Sequence, residues 1–316
     1  RNKALFATFA LFSIPAFMSH FIWGITMAVP LYFVVFYALE RIKHDSKWWI
    51  VAALTMVTVL ISSPTHSAYF GIFFVLYLIT KIIVEKKILI WHIAAGAAGL
   101  FLSFAVWWLP MIIKHGVKGT IAGFGYRFKY GAIGLGGTGD RIYSFKDFFV
   151  ARMENAINNP IGIGIVLSLL VVIALIFLIF KRWNYIKKHK MHIISIFSAV
   201  ELITIVLLWK THTGQLWGSL DTLTSPIPFF KFFSEQFFVV IALTFFIFIL
   251  VSMSYVNYKE SNNEDNYLIL TLVWLAFSFY AVNAATYHFK LSPFRAWMLL
   301  AIPVCIFAAQ GAINLM

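Results

Sequence analysis

The sequence predicts an all-α bundle of membrane-spanning helices. Of its 316 residues, 61% are hydrophobic and only 12% are charged, whereas soluble domains carry roughly 45–50% apolar and about 25% charged residues. Apolar runs recur along the chain, and several approach the ~20 residues that a helix needs to cross a bilayer. A soluble domain of this composition would need an implausibly large core for its length. The chain is therefore interpreted as a polytopic membrane protein.

Ten apolar runs are candidates for spans. We expect them at residues 4–19, 22–39, 50–63, 67–84, 92–113, 161–180, 193–209, 235–255, 267–286 and 295–316. Very short turns join the first pair and the second pair. Pro64 lacks an amide hydrogen and disfavours a helical residue before it, so a break is expected there. Either pair could instead form one long kinked helix, which would reduce the number of spans to eight or nine.

The two ends and the single cysteine bear on domain organisation. Residues 1–316 are expected to form one transmembrane helical domain. Both ends interrupt apolar runs, so we expect native residues to be missing on either side. Cys305 is alone, which excludes an internal disulfide framework.

Basic residues in the connections predict the orientation. Lysines and arginines cluster at 41–47, 81–87 and 181–190, and such clusters favour the cytoplasmic side. The long connections 114–160, 210–234 and 287–294 then all lie on the outer face. Long loops in compact proteins are usually functional, so the site is expected on that face of the plasma membrane.

The expected loop 114–160 is rich in glycine and in basic residues. Glycine allows close approach of the backbone to a ligand, and basic side chains suit phosphate. Arg127, Lys129 and Arg141 are therefore candidates for binding a phosphate-bearing lipid or another polyanion. The alternative is a flexible basic loop that touches anionic lipid or is simply solvated. No nucleotide-binding fingerprint is present, and no nucleic-acid partner is expected.

Outer-face acids are weak candidates for catalysis. Asp140, Asp147, Glu154 and Glu235 could supply a general base or hold a divalent metal. None has the tight spacing of a metal-binding pair, and pairing with nearby basic residues is the alternative.

Two further residues stand out inside or between the spans. Glu201 lies near the middle of span 193–209, where a carboxyl group is costly. It is interpreted as a structural acid, neutral or paired with arginine, or as part of an ion or proton relay. His66 lies in the break around Pro64 and is a candidate for substrate binding; no second histidine lies close enough in sequence to predict a metal site.

Arg295 opens the last span, where its side chain either extends to the lipid headgroups or faces a substrate. The residues around it carry a family resemblance. Residues 294–311 read Phe-Arg-Ala-Trp-Met-Leu-Leu-Ala-Ile-Pro-Val-Cys-Ile-Phe-Ala-Ala-Gln-Gly. This stretch resembles the late transmembrane segment of the GT-C superfamily of polyprenyl-linked glycosyltransferases, especially the catalytic subunit of archaeal oligosaccharyltransferase. Residues 272–277 fit the preceding span, and residues 104–110 are similar to other archaeal members.

The resemblance implies a function and a set of partners. The chain would belong to a membrane glycosyltransferase that uses a lipid-linked sugar in protein glycosylation, with a polyprenyl-phosphate donor, a divalent metal (Mg or Mn) and other membrane subunits as partners. Arg295 would help to hold the acceptor. The family's main catalytic acids would lie upstream of this chain. A transporter or channel, and a scaffold subunit of a larger complex, are the alternatives.

Overall fold

The computed structural model describes residues 2–18, 25–62, 64–130, 143–154, 159–212, 237–260, 266–284 and 293–316. This part of the chain is helical except for one short β-hairpin, so the all-α prediction is confirmed. It forms two compact units, one of residues 20–137 and one of residues 1–19 with 138–316.

The helices are numbered in chain order. They are α1 Asn2–Ser13, α2 Pro15–Met18, α3 Ile25–Arg41, α4 Trp48–Ser62, α5 Pro64–Glu85, α6 Ile90–Ser103, α7 Leu109–Tyr130, α8 Phe145–Phe149, α9 Ile165–Lys181, α10 Trp183–Lys188, α11 Lys190–His212, α12 Phe237–Glu260, α13 Asn266–Val282 and α14 Pro293–Leu315. Strand β1 (Arg152–Glu154) pairs antiparallel with β2 (Asn159–Ile161).

The unit 20–137 is built on an up-and-down bundle of α3, α4, α5 and α6. Aromatic rings join α3 to α5, with Phe36 5.0 Å from both Phe73 and Tyr77 between ring centroids. Helices α4 and α6 approach closely at a glycine: a Cβ added to Gly99 would lie 2.9 Å from the Cβ of Met56. Small and aromatic side chains thus fill complementary parts of this core.

The turn at Pro64 separates two helices. Helix α4 ends at Ser62, and α5 begins at Pro64, where a missing amide hydrogen costs nothing because the first turn of a helix has no internal acceptor for it. The Ser67 hydroxyl donates a hydrogen bond of 2.7 Å to the Leu60 carbonyl. Of the two alternatives at this position, the structure has the break and not the single kinked helix.

Helix continues further than expected after residue 113. A π-helical segment, Phe104–Trp108, joins α6 to α7, and such a bulge can accommodate Pro110, which lacks an amide hydrogen. Helix α7 then runs to Tyr130, with a break at Gly116, where φ is 69°. Residues 114–130 are therefore helical apart from the break at Gly116, which corrects the start of the expected loop 114–160.

Helix α14 is the centre of the other unit. It packs against α9, α13 and α1, and most of its side chains are buried. Its closest approach is to α9, because a Cβ added to Gly311 would overlap the Leu170 carbonyl oxygen and lie 2.9 Å from the carbonyl carbon. Helices α12 and α11 extend the layer beyond α13.

Four described helical stretches are long and apolar enough to cross a membrane: His66–Glu85, Ile90–Thr120, Val239–Val256 and Pro293–Leu315. Each overlaps one of the expected spans. Helices α4, α9 and α13 are apolar but have 15 to 17 residues, or about 23–26 Å, against a hydrocarbon thickness of about 30 Å. The structure is thus compatible with an integral membrane protein, while the prediction of ten spans is not confirmed.

The close approach at Gly311 predicts that alanine destabilises the protein at this position but not at a glycine with open space around it. We expect Gly311→Ala to lower the unfolding midpoint of the detergent-solubilised protein, since overpacking against backbone costs about 1–3 kcal/mol. Gly71→Ala is the matched control, because a Cβ there meets nothing within 4 Å; its midpoint should stay the same or rise slightly. Equal effects of the two substitutions would contradict this view of the α9–α14 contact.

Candidate functional site

The first turns of α14 form one wall of the candidate site. Pro293 starts the helix, a position that its fixed φ favours. Phe294 and Trp297 lie three residues apart and are both buried, whereas Arg295 between them is half-buried. The first turn of the helix therefore carries one half-buried arginine between buried aromatic residues.

A second wall comes from the chain segment before the hairpin. Helix α8 has a capping box in which the Asp147 Oδ2 atom accepts hydrogen bonds from the Ser144 amide at 2.7 Å and the Ser144 hydroxyl at 2.9 Å. Asp147 is 5% exposed. One oxygen of this candidate acid is therefore engaged in fixing the start of α8.

Phe148 fixes α8 to α14. Its ring centroid lies 4.8 Å from that of Trp297 and 5.2 Å from that of Phe279 on α13. Tyr143 packs edge-on against the other side of Trp297 at 5.2 Å. The Ile163 amide donates a hydrogen bond of 3.0 Å to the Phe148 carbonyl. The end of the expected outer loop thus packs against the turn that holds Arg295.

The other predicted site residues divide into three groups. Asp140, Arg141 and Glu235 lie outside the described residues. Glu154 pairs with Asn159 in the hairpin, but its side chain is outside the described part. Arg127 and Lys129 lie on α7 in the unit 20–137, again without described side chains. Among the predicted site residues whose side chains are described, Asp147 and Arg295 are associated with the same end of one unit.

His66 is packed inside the unit 20–137. It lies in the first turn of α5, and 2% of it is exposed. The Tyr32 hydroxyl donates a hydrogen bond of 2.7 Å to the His66 carbonyl, and the imidazole lies 6.2 Å from the Tyr69 ring. These contacts show that His66 takes part in helix packing within this unit. A role in substrate binding stays a prediction.

Trp297 is the residue of this site that sequence reasoning missed. It is 0% exposed, and its indole N–H has no acceptor among the described residues. Buried tryptophan usually finds a hydrogen-bond partner, so this donor is a polar group that the site leaves open. Its spacing of three residues from Phe294 was the available signal, because that spacing places both rings on one helix face.

A metal centre is not visible in the described residues. No group of three histidine, cysteine, aspartate or glutamate side chains lies close enough to hold an ion there. Since the candidate acids at 140, 154 and 235 have no described side chains, a divalent metal stays a prediction.

Glu201 is paired across a helix interface. The Thr244 hydroxyl on α12 donates a hydrogen bond to Glu201 Oε1. Glu201 Oε2 is buried and has no partner within the described chain. Thr244 lies inside the apolar stretch Val239–Val256, so the carboxyl group lies within the depth of a span. Its observed partner is a hydroxyl group and not the arginine that was one of the alternatives suggested by the sequence.

Comparisons with known proteins add nothing to these observations. No family model, curated protein or solved structure matches the chain.

Phe148 should be the anchor of α8. We expect Phe148→Ala to accelerate limited proteolysis around residues 143–150, because truncation of a buried phenylalanine costs about 3–5 kcal/mol. Phe145→Ala is the matched control on the same helix, since Phe145 is 55% exposed. Cleavage sites and rates are read by mass spectrometry of the solubilised protein. Similar cleavage rates in both variants would contradict the anchoring role.

Thr244 should stabilise the α11–α12 contact through Glu201. Thr244→Val keeps the shape but removes the donor, leaving a buried carboxyl group without its partner, which costs about 1–3 kcal/mol. We expect a lower unfolding midpoint. Thr204→Val is the control, because the Thr204 hydroxyl bonds only to the Val200 carbonyl of its own helix and is expected to matter little. A midpoint unchanged by Thr244→Val would show that the hydrogen bond is dispensable.

Proposed function

We propose that the protein is a multi-pass membrane glycosyltransferase that moves a sugar or oligosaccharide from a polyprenyl-phosphate carrier to an acceptor on the outer face of the plasma membrane. The proposal began from the resemblance of residues 294–311. Its structural support is the packing of α8 and Phe148 against Trp297, which joins the end of the long outer segment to the turn that holds Arg295.

Arg295 has the chemistry of an acceptor-binding residue. Its guanidinium group offers several donors in a planar fork, which suits carboxylate and phosphate oxygens. Its half-burial reduces competition from water, which strengthens such bonds. The Trp297 N–H is a second donor nearby in sequence.

The proposed reaction is a substitution at the anomeric carbon. An acceptor nucleophile forms the new bond to that carbon while the bond to the carrier phosphate oxygen breaks, and the phosphate leaves with the electron pair. Inversion follows from direct attack on the opposite face. Arg295 binds and orients the acceptor. The general base that takes the acceptor's proton is not assigned to a residue, and no step is assigned to a metal.

The transporter alternative rested on Glu201 and on the break near His66. Thr244 now gives Glu201 a helix-pairing role, and the contacts of His66 are those of a packed helix start. Neither feature favours transport over transfer. A scaffold subunit remains the competing proposal, and the activity test separates it from a transferase.

The test is a transfer assay on membranes that contain the protein. Polyprenyl phosphate bearing labelled mannose or glucose is the probe, and movement of label from the lipid fraction to glycan or protein is the readout. We expect Arg295→Ala to raise the KM for acceptor about 10–100-fold while the KM for donor stays unchanged, since a charge-assisted hydrogen bond contributes roughly 1.5–3 kcal/mol. Lys188→Ala, an exposed cation at the end of α10, is the control.

Two results would contradict the proposal. Label that stays on the carrier with the unaltered protein would favour a scaffold. If the KM for acceptor is the same in Arg295→Ala and Lys188→Ala, the protein is still a transferase, but Arg295 does not bind the acceptor.

A further inference from the structure

One end of the unit 20–137 gathers four helix ends, and we call it the basic end. It consists of residues 37–49 and 81–91, where α3 ends, α4 begins, α5 ends and α6 begins. The Arg41 guanidinium lies over the Trp48 ring at 5.7 Å, joining α3 to α4. Trp49 stacks on Trp91 at 6.1 Å, joining α4 to α6. These contacts hold the surface of the basic end in a fixed arrangement.

A buried lysine joins α5 to α3 beneath that surface. Lys81 is 4% exposed; its ammonium group bonds to Glu40 Oε1 and lies 3.4 Å from Glu85 Oε1. The Tyr77 hydroxyl donates a hydrogen bond of 2.8 Å to the same Glu40 oxygen. Two carboxylates of the basic end are therefore engaged by a cation from inside the bundle.

The charge state of Glu40 follows from these neighbours. Burial alone would raise the pKa of the Glu40 carboxyl, but the charge of Lys81 and hydrogen bonds from Lys81 and Tyr77 outweigh it, so the pKa is lowered from 4.5. Glu40 is thus ionised at neutral pH. Its Oε1 atom bonds to Lys81, and its Oε2 atom lies 3.2 Å from the Lys43 ammonium.

The exposed surface of the basic end is left strongly positive. Its exposed cations are Arg41, Lys43, Lys47, Lys86 and Lys87. Asp45 is the one other acid among residues 37–49 and 81–91, and its Oδ1 accepts a hydrogen bond from the Lys47 amide at 2.9 Å. The exposed Lys43 ammonium lies 3.2 Å from the second Glu40 oxygen. Residues 37–49 and 81–91 together carry six basic and three acidic side chains, so the basic end keeps a net positive charge that favours an anionic partner.

Aromatic and aliphatic side chains border these cations. Tyr37 is 57% exposed and packs edge-on against Trp48 at 5.7 Å. Trp91 is 47% exposed, and the neighbouring Ile88 and Ile90 are more exposed still. Tryptophan and tyrosine concentrate at the level of lipid headgroups, where one side is apolar and the other is wet. A free polyanion in solution would gain nothing from contact with the apolar part of this surface, whereas a lipid would bury it.

We infer that the basic end binds anionic phospholipid headgroups, with Arg41, Lys43, Lys47, Lys86 and Lys87 facing the phosphates and the tryptophans at the depth of the glycerol and upper acyl chains. Each basic residue near an anionic membrane surface contributes about fivefold to binding. The inference stands on the unit 20–137 alone and does not depend on the proposed glycosyl transfer.

The experiment measures lipid binding to the purified full chain in a neutral detergent. Phosphatidylglycerol and phosphatidylcholine are titrated separately, and bound lipid is counted by native mass spectrometry. The test variant is Lys47→Gln/Lys86→Gln/Lys87→Gln. The control is Lys114→Gln/Lys118→Gln/Lys146→Gln, which removes three exposed lysines elsewhere and so changes the net charge equally. Unfolding midpoints verify that both variants fold, and the single variants Lys47→Gln and Lys87→Gln replace the triple if it does not.

We expect the unaltered protein to prefer phosphatidylglycerol, and the test variant to bind that lipid at least about tenfold more weakly. The control should keep the preference, and higher salt should weaken it in the unaltered protein. If both triple variants lose lipid binding equally, net charge alone explains the preference, and the proposed site is wrong. It is also wrong if the unaltered protein shows no preference for phosphatidylglycerol, or if inorganic phosphate displaces the lipid at equal concentration, which would indicate a site for free anions.

Discussion

The packing of α14 is the constraint on which the rest of its unit depends. A helix in lipid satisfies its backbone internally, so association between helices relies on close contact and on small residues at the interface. Gly311 meets the backbone of α9 so closely that no side chain fits between them. With α13 and α1 on its other sides, α14 is held in place along most of its length. Any side chain that α14 carries near Pro293 is therefore presented in a fixed position.

The candidate site follows from that fixed position. Trp297 is buried, with Tyr143 and Phe148 packed against its ring, and Phe148 in turn contacts Phe279. The capping box of α8 holds Phe148 in turn, since Asp147 and Ser144 satisfy each other at the helix start. Arg295 lies between the buried residues Phe294 and Ala296 and is itself half-buried. A rigid hydrophobic support beneath one cation is the arrangement that a precise binding site needs.

Polar groups inside the apolar helices are paired across helix interfaces. Glu201 bonds to Thr244, 43 residues further along the chain, and Lys81 bonds to Glu40, 41 residues earlier. In each case an unpaired charge or carboxyl group in lipid would be costly, so a partner from another helix is required. The pairing at Lys81 has an additional effect, because it engages carboxylates from within and leaves the nearby surface basic.

The sequence by itself determined the helical class, the four long apolar stretches and the break at Pro64, because hydropathy, length and the chemistry of proline are local properties. It also singled out Arg295. It did not predict that helix extends beyond residue 113 to Tyr130, since the glycines and basic residues of that stretch indicated a loop. Trp297 was visible only as part of a sequence pattern, and the partners of Glu40 and Glu201 were not visible at all. Only the tertiary structure decided these contacts, because residues about forty positions apart meet through helix packing and not through local spacing.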